Sequence, residues 1–418
     1  MERQNISYIF TGNKELCTGC GACAQICAHQ AILMKPDSEG FLYPALDTEK
    51  CIQCGLCDSR CPVVNNKYEN TSQEQKCYIG TTKYENYYKE SASIGLCTML
   101  SDYIIKQDGY VFGAYLDEKE WKVKHICVKH NEDIQKIRNS KYAQSDTLDT
   151  YSKVRTLLKD NQTVLFIGTA CQISGLKTFL RKEYVNLFTI DIICHGVFSP
   201  LLLKKEVDYW ERKFKSPISN LRFRSKRVYK NINPGMVNFD IKNYRGKLKH
   251  IERHASSSPS YRCYAYAGNG INYNLRPSCY TCPYRSLNRY ADITIGDPWG
   301  IHDKDIKDET LKGMNVLRSL YSINTSKGDY LLKQISDFIH YIQIERSVAF
   351  KQEALLPTKR HIPKEREELY KQIEKEEYGR LVERLLKCKL EKSHRRFISR
   401  YYIDLIKRKI KQIINYHK

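Results

Sequence analysis

The chain has 418 residues, enough for two or three domains, and its 69 Lys and Arg against 47 Asp and Glu leave a net charge of +22. Its 17 cysteines come with no apolar leader in MERQNISYIF and no run of roughly 18 apolar residues, which excludes a small disulfide-stapled scaffold and a membrane-spanning protein. They read as metal ligands in a reducing, cytoplasmic compartment, and the positive charge, with no zinc-finger or RNA-recognition signature beside it, does not make nucleic acid a partner.

Residues 1–62 read as a ferredoxin-like two-cluster domain. A strand is expected at Tyr8–Phe10, then a ligand loop, a short helix, a hairpin around Ala31–Pro44 and a second ligand loop. Cys17, Cys20, Cys23 and Cys27 have the spacing C-x₂-C-x₂-C-x₃-C, and Cys51, Cys54, Cys57 and Cys61 repeat it 34 positions on. In that run three cysteines wrap one [4Fe-4S] cube and the fourth reaches the other. The expected sets are Cys17, Cys20, Cys23 and Cys61, and Cys51, Cys54, Cys57 and Cys27. Gly21 and Gly55 stand at matching places, where the loop needs positive φ. Paired Cys₄ zinc sites use two C-x₂-C pairs across a longer loop and fit this register less well. Ala28 replaces the proline that follows the second run as Pro62, which changes no ligand.

Residues 63–75, VVNNKYENTSQEQ, are polar and aperiodic, a linker. An α/β domain is expected over 76–345. It opens with a strand at CYIG, then a helix capped by Ser91 with Ile94, Cys97, Leu100 and Ile104 at helical spacing. Tyr110–Tyr115 and Val123–Val128 read as strands, the second setting Val123, His125 and Cys127 on one face. A polar helix near Asn131–Arg138, the loop RNSKYAQSD and a helix from about Leu148 follow.

Thr163–Ile167 is a buried strand, followed by Gly168-Thr169-Ala170-Cys171-Gln172 and a helix through Leu180. A second strand, Phe188–Ile193, ends in Cys194-His195-Gly196. This is a βαβ unit with parallel strands, and it puts Cys171 and Cys194 together at the carboxyl edge where such sheets bind ligands. Cys279 and Cys282, a further C-x₂-C, complete four thiols. From spacing alone a third cube, a structural zinc site and unligated packing thiols all stay open. Cys263 is a spare candidate; Cys77, Cys97, Cys127 and Cys388 are packing residues. A strand in ADITIGDPWG ends at Asp297 and Trp299, which suit either a cofactor pocket or a turn with a packed indole.

From about Leu356 the chain turns helical and charged, and 346–418 form a basic helical tail. Residues 384–418 carry Phe397, Tyr401, Ile406 and Ile410 among Arg395, Arg396, Arg400 and Lys407, a basic amphipathic pattern. Packing on its own domain is the plainer reading, and contact with a membrane surface or a partner the other.

GTACQISGLK, DIICHGVFSP, LRPSCYTCPYR and ADITIGDPWG, in this order, resemble the family of coenzyme F420 hydrogenase/dehydrogenase beta subunits (coenzyme F420 is a deazaflavin), over roughly residues 1–340. The resemblance implies an FAD-binding α/β domain with its own [4Fe-4S] cluster on Cys171, Cys194, Cys279 and Cys282. It places flavin contacts at Ser93, Gly95, Lys141, Tyr142, Gly168, Thr169, Gln172, Asp297 and Trp299. Where the family commonly has Ser-Gly-Gly, this chain reads Ser93-Ile94-Gly95. The expected function is an iron–sulfur flavoprotein oxidoreductase, with His195 as a candidate proton donor or else a histidine simply hydrogen-bonded in its turn, and a redox partner protein or reduced ferredoxin supplying or taking electrons. A deazaflavin or a polysaccharide-pathway compound is the expected kind of organic substrate. The alternative is an electron-transfer subunit that docks on a separate catalytic partner.

Overall fold

The computed structural model describes residues 7–65, 75–225, 235–243, 245–265, 272–312, 318–349, 351–352, 355–356 and 360–416. Most of the expected linker, 66–74, therefore lies outside the described residues.

The ferredoxin module holds a hairpin, β1 (Ile32–Pro36) and β2 (Leu42–Leu46), paired antiparallel with Ile32 opposite Leu46. Each ligand loop turns into a short helix, Ala22–Ile26 and Leu56–Ser59, behind a glycine at positive φ: Gly21 at 77° and Gly55 at 68°. The expected strand at Tyr8–Phe10 is instead a helical turn, Tyr8–Thr11. Gly12, at φ 66°, donates its N–H to the Tyr8 carbonyl at 2.8 Å and closes that turn, while the Tyr8 ring packs 4.7 Å from that of Tyr43.

A nine-stranded mixed sheet forms the centre of the second domain. Its strands are β3 (Lys76–Thr82), β4 (Tyr110–Asp117), β5 (Lys122–Val128), β6 (Ser145–Asp146), β7 (Val164–Thr169) and β8 (Leu187–Ile192), and further along the chain Ile293–Gly296, Ser319–Ile323 and Ile339–Ile344. Between these groups a separate three-stranded antiparallel sheet uses β9 (Ile218–Ser225), β10 (Met236–Lys242) and β11 (Leu248–His254), so the last three strands are β12, β13 and β14. The order across the large sheet is β14-β3-β13-β12-β8-β7-β4-β5-β6. Its middle, β12-β8-β7-β4, is parallel, and the strands flanking that middle are antiparallel to it.

The expected βαβ unit is β7, the helix Ala170–Leu180 and β8, with Gly168 opposite Asp191 and Thr169 opposite Ile192. Nearly the whole helix is buried, because Ile173, Leu176 and Phe179 face the sheet and the ferredoxin module covers its outer side. On the other face Leu100, Ile104, Leu165, Ile190 and Leu331 make a second core. Ser91 does not cap the helix that follows. The helix runs Leu96–Lys106 behind Gly95 at φ 81°, whose missing side chain leaves room for the Tyr87 carbonyl. The expected face of β5 holds for Val123 and His125 but not for Cys127, which is exposed, while Val128 turns inward.

The tail is helical as expected, with helices Lys364–Gln372, Tyr378–Leu385 and Leu390–Tyr416. The first two bury Leu369, Tyr378, Leu381 and Val382 against the small sheet and the helix Pro200–Phe214. Among the described residues no helix is long and apolar enough to cross a membrane.

Candidate redox site

The first ligand loop is pressed onto the large domain. Thr147 Oγ1 donates to the Cys20 carbonyl at 2.9 Å, and Arg276 Nε to the Cys17 carbonyl at 2.7 Å. The Arg276 guanidinium lies 3.9 Å from the centre of the Tyr43 ring and also donates to Gln144 Oε1, which accepts the Leu42 N–H. Gln25 Oε1 accepts the N–H of Tyr151 at 2.8 Å. At the hairpin tip Glu39 takes a two-pronged ion pair from Arg366, at 2.7 and 2.5 Å. Such planar pairs fix orientation as well as position. The second loop is left open: a Cβ on Gly55 would meet nothing within 4 Å, and Cys54 is exposed beside Ile52, 62% exposed.

Cys17, Cys20, Cys23 and Cys61, together with Cys57 of the other set, line one pocket at the root of the docked loop. Burial pushes the Cys20 and Cys23 thiols up, and their neighbours Cys17 and Cys61 raise them further; Cys61 itself is pushed up to about 11. Thiols that raise one another in a dry pocket lose their protons when positive metal takes up the charge. In the second set burial raises Cys57 first, with Asp58 and then Cys51 adding to it.

The βαβ edge brings the other four thiols together. Burial raises Cys194 most, followed by its neighbours Cys279, Cys171 and Cys282; Cys171, Cys279 and Cys282 are each pushed up to about 11, by burial first. Thr169 Oγ1 lies 3.0 Å from Cys171 Sγ, and the Gly196 N–H donates to Cys194 Sγ at 3.3 Å. Cys263 is buried in the small-sheet core and Cys77 is buried on β3 itself, as packing residues. Among the described residues no three His, Cys, Asp or Glu side chains converge on one point as ligands of a single ion do. A cube is gripped from outside by thiolates standing farther apart.

The two thiol groups are neighbours. Cys20 lies against Gly175 on the helix that carries Cys171, and Cys171 adds to the rise of the Cys20 thiol, as both cysteines add to those of Tyr151 and Tyr284. Tyr151 Oη donates to the Gln172 carbonyl at 2.8 Å and fills the space between them.

The expected flavin residues fall into two groups. Gly168, Thr169 and Gln172 form the cap of the Ala170–Leu180 helix, where Gln172 Oε1 accepts the Thr169 N–H at 3.0 Å. Ser93 and Asp297, 204 residues apart, are hydrogen-bonded, and Asp297 also takes a 2.6 Å ion pair from the buried Arg224. Gly95 lies just behind Ser93, while Trp299, in the turn after β12, is 45% exposed. Tyr142 packs among Phe223, Tyr261 and Tyr264. Among the described residues Lys141 Nζ donates only to backbone carbonyls of Lys136, Arg138 and Asn139. Burial first and Arg222 second push it down to about 7, and Arg138 Nε beside it is buried without a hydrogen-bond partner. A cation in that state is short of an anion, and the pyrophosphate of a dinucleotide fits it.

His195 is engaged at both ring nitrogens, with Asn272 Oδ1 at 2.6 Å and the Arg360 guanidinium at 3.2 Å. Burial and Arg360 lower its pKa to about 4, so it is neutral at pH 7 and braces the turn that carries Cys194. Arg276, Gln144, Thr147, Gln25 and Arg224 carry no signal of their own in the sequence. Arg276 and Gln144 do lie inside the motifs LRPSCYTC and SKYAQSD.

Residues 161–346 match the family model for the C terminus of the coenzyme F420 hydrogenase/dehydrogenase beta subunit, and residues 16–65 match that of the 4Fe-4S dicluster domain. A coenzyme F420-dependent sulfite reductase of Methanocaldococcus jannaschii is 29% identical over 40% of this chain and 26% of its own length. The F subunit of an F(420)H(2) dehydrogenase from Methanosarcina mazei is 20% identical over 44% of this chain and 54% of its own. The matches thus span about a quarter and about half of these relatives. A chain of the F420-reducing [NiFe] hydrogenase complex from Methanosarcina barkeri overlies 67% of this chain, and 88% of itself, at 17% identity with a TM-score of 0.41.

Proposed function

This chain belongs to the family of coenzyme F420 hydrogenase/dehydrogenase beta subunits and carries a 4Fe-4S dicluster domain as well, and from that premise we propose that it is an iron–sulfur flavoprotein oxidoreductase, passing electrons between ferredoxin-type clusters and FAD and so to or from an organic substrate. The domains are 1–62, 76–345 and 346–418. The substrate is a deazaflavin or a polysaccharide-pathway compound.

The contact of Cys20 with Gly175 carries this reading, because it joins the two thiol groups through one buried wall. Cys17, Cys20, Cys23 and Cys61 hold one cube, Cys27, Cys51, Cys54 and Cys57 the second, and Cys171, Cys194, Cys279 and Cys282 a third. Clusters exchange electrons singly and a flavin singly or in pairs, which makes the combination a one-to-two-electron converter. Lys141 and Arg138 hold the flavin's phosphates, and the Ser93–Asp297–Arg224 group forms a wall of its pocket. Gly196 N–H and Thr169 Oγ1, each bonded to a ligand sulfur, set the potential of the inner cube.

The exposed second loop favours a companion reading for the partner. Cys54, with Ile52 and Leu56 exposed around it, offers a small apolar face for a one-electron carrier protein. A subunit that only relays electrons to a separate catalytic partner would use the same face.

Iron, sulfide, zinc and flavin content of anaerobically purified protein, with absorption spectra before and after dithionite, tests the proposal. About twelve irons and one FAD, both bleaching, are expected for three cubes and a flavin. About eight irons without flavin would replace it with the relay reading.

A further inference from the structure

Away from the redox site, the turn between the helices Tyr378–Leu385 and Leu390–Tyr416 opens a pocket of about 740 Å³. Seven of its lining residues are Lys or Arg, and Glu383 is the one carboxylate. Two of the cations are neutralised, Arg384 by Glu376 at 2.7 Å and Lys389 by Glu383 at 3.3 Å. Among the described residues the other five, Arg262, Arg380, Lys387, Lys392 and Arg396, have no carboxylate partner, and Arg262 Nε is buried without a hydrogen bond. Cations crowded in this way repel one another unless an anion joins them.

The same long helix continues out of the fold. It is held as far as Phe397, whose ring stacks 4.1 Å from that of His254, and by His394, whose Nδ1 accepts the His254 N–H. Beyond that point Tyr402, Ile403, Ile406 and Ile410 are each half exposed or more. At 100° per residue Lys392, Arg396, Ile403, Ile406 and Ile410 fall within an arc of about 80°. The pocket's cations and the bare apolar stripe therefore share one face. They are only about 10 Å apart along the axis at 1.5 Å per residue from Arg396 to Ile403.

The geometry points to the surface of an anionic phospholipid bilayer as the occupant. A lipid phosphate sits among Arg262, Lys392 and Arg396, and the helix lies in the interface with Tyr402, Ile403, Ile406 and Ile410 toward the acyl chains. A water-facing apolar stripe beside unpaired cations matches both parts of that surface. A free phosphate compound would use the cations and leave the stripe bare.

The test is co-sedimentation of the full-length, cluster-loaded protein with phosphatidylcholine vesicles, with and without phosphatidylglycerol. Binding to the anionic vesicles alone is expected. The variant Arg262→Gln/Lys392→Gln/Arg396→Gln should weaken it about a hundredfold, at roughly fivefold per cation. Ile403→Asp/Ile406→Asp, which alters only exposed positions, should abolish it while iron content and spectrum stay unchanged. No preference for anionic vesicles, or full binding by both variants, overturns the inference. So does saturable binding of inorganic pyrophosphate, or of duplex DNA, by a protein that ignores the vesicles.

Discussion

The sulfur of Cys20 lies so close to the backbone of Gly175 that a Cβ there would stand 3.0 Å from it and 2.9 Å from Cys20 Cβ. Tyr151 Oη would be 3.1 Å away, so the neighbour has little room to give. Gly175→Ala should therefore cost about 1–3 kcal/mol as an overpacked contact, and Gly175→Val more. The readout is docking: the first ligand loop of the variant should become cleavable by protease while the large domain stays folded. An unchanged digestion pattern would show that the contact has slack.

Cys282→Ala should remove about four irons per chain if the four thiols of the βαβ edge carry a cube. The eight cysteines of the ferredoxin module should keep their clusters, so the loss reads directly in iron assays. Unchanged iron content would take the third cube out of the proposal.

Lys141 makes a pH prediction. Its pKa without an anion is about 7, held down by burial, and a bound phosphate raises it. Flavin affinity should be full below pH 7 and fall as pH rises between the free and bound values. Lys141→Met should flatten that dependence and lower flavin content, measured by flavin fluorescence after dialysis at each pH.

His125 makes another. Buried in the sheet, with Nδ1 2.7 Å from Ser145 Oγ and Nε2 3.1 Å from the Ile167 carbonyl, it is lowered from 6.5 to about 4 by burial. The unfolded chain takes up this proton at the higher pH, so stability is lost as pH falls from 6.5 toward 4. At about 1.4 kcal/mol per pH unit the loss is about 3 kcal/mol. His254 and His394 are lowered in the same way and add to the slope. The melting temperature of His125→Gln should fall less steeply with acid than that of the parent, and equal slopes would refute the assignment.

The ligand spacing and the βαβ unit are legible in the sequence because both are local. Loop geometry fixes the cysteine register, and a buried strand, a helix and a second strand fold the same way wherever they occur. What is not legible is long-range. Ser93 meets Asp297 across 204 residues, and Arg276 grips the Cys17 loop across 259. The small sheet escapes because its alternation is broken by register shifts around Asn238 and its strands carry Arg222, Arg224, Lys249 and Arg253. Tyr8–Phe10 reads as a strand and folds as a turn because a three-residue apolar run has no period of its own, and Gly12 decides the outcome.

The pair Glu39–Arg366 spans 327 residues. During synthesis the ferredoxin module leaves the ribosome long before its second anchor exists, since Arg366 follows Glu39 by 327 residues. The hairpin tip is clamped only once the tail is out, so this step in the order of assembly is written into the distance between two side chains.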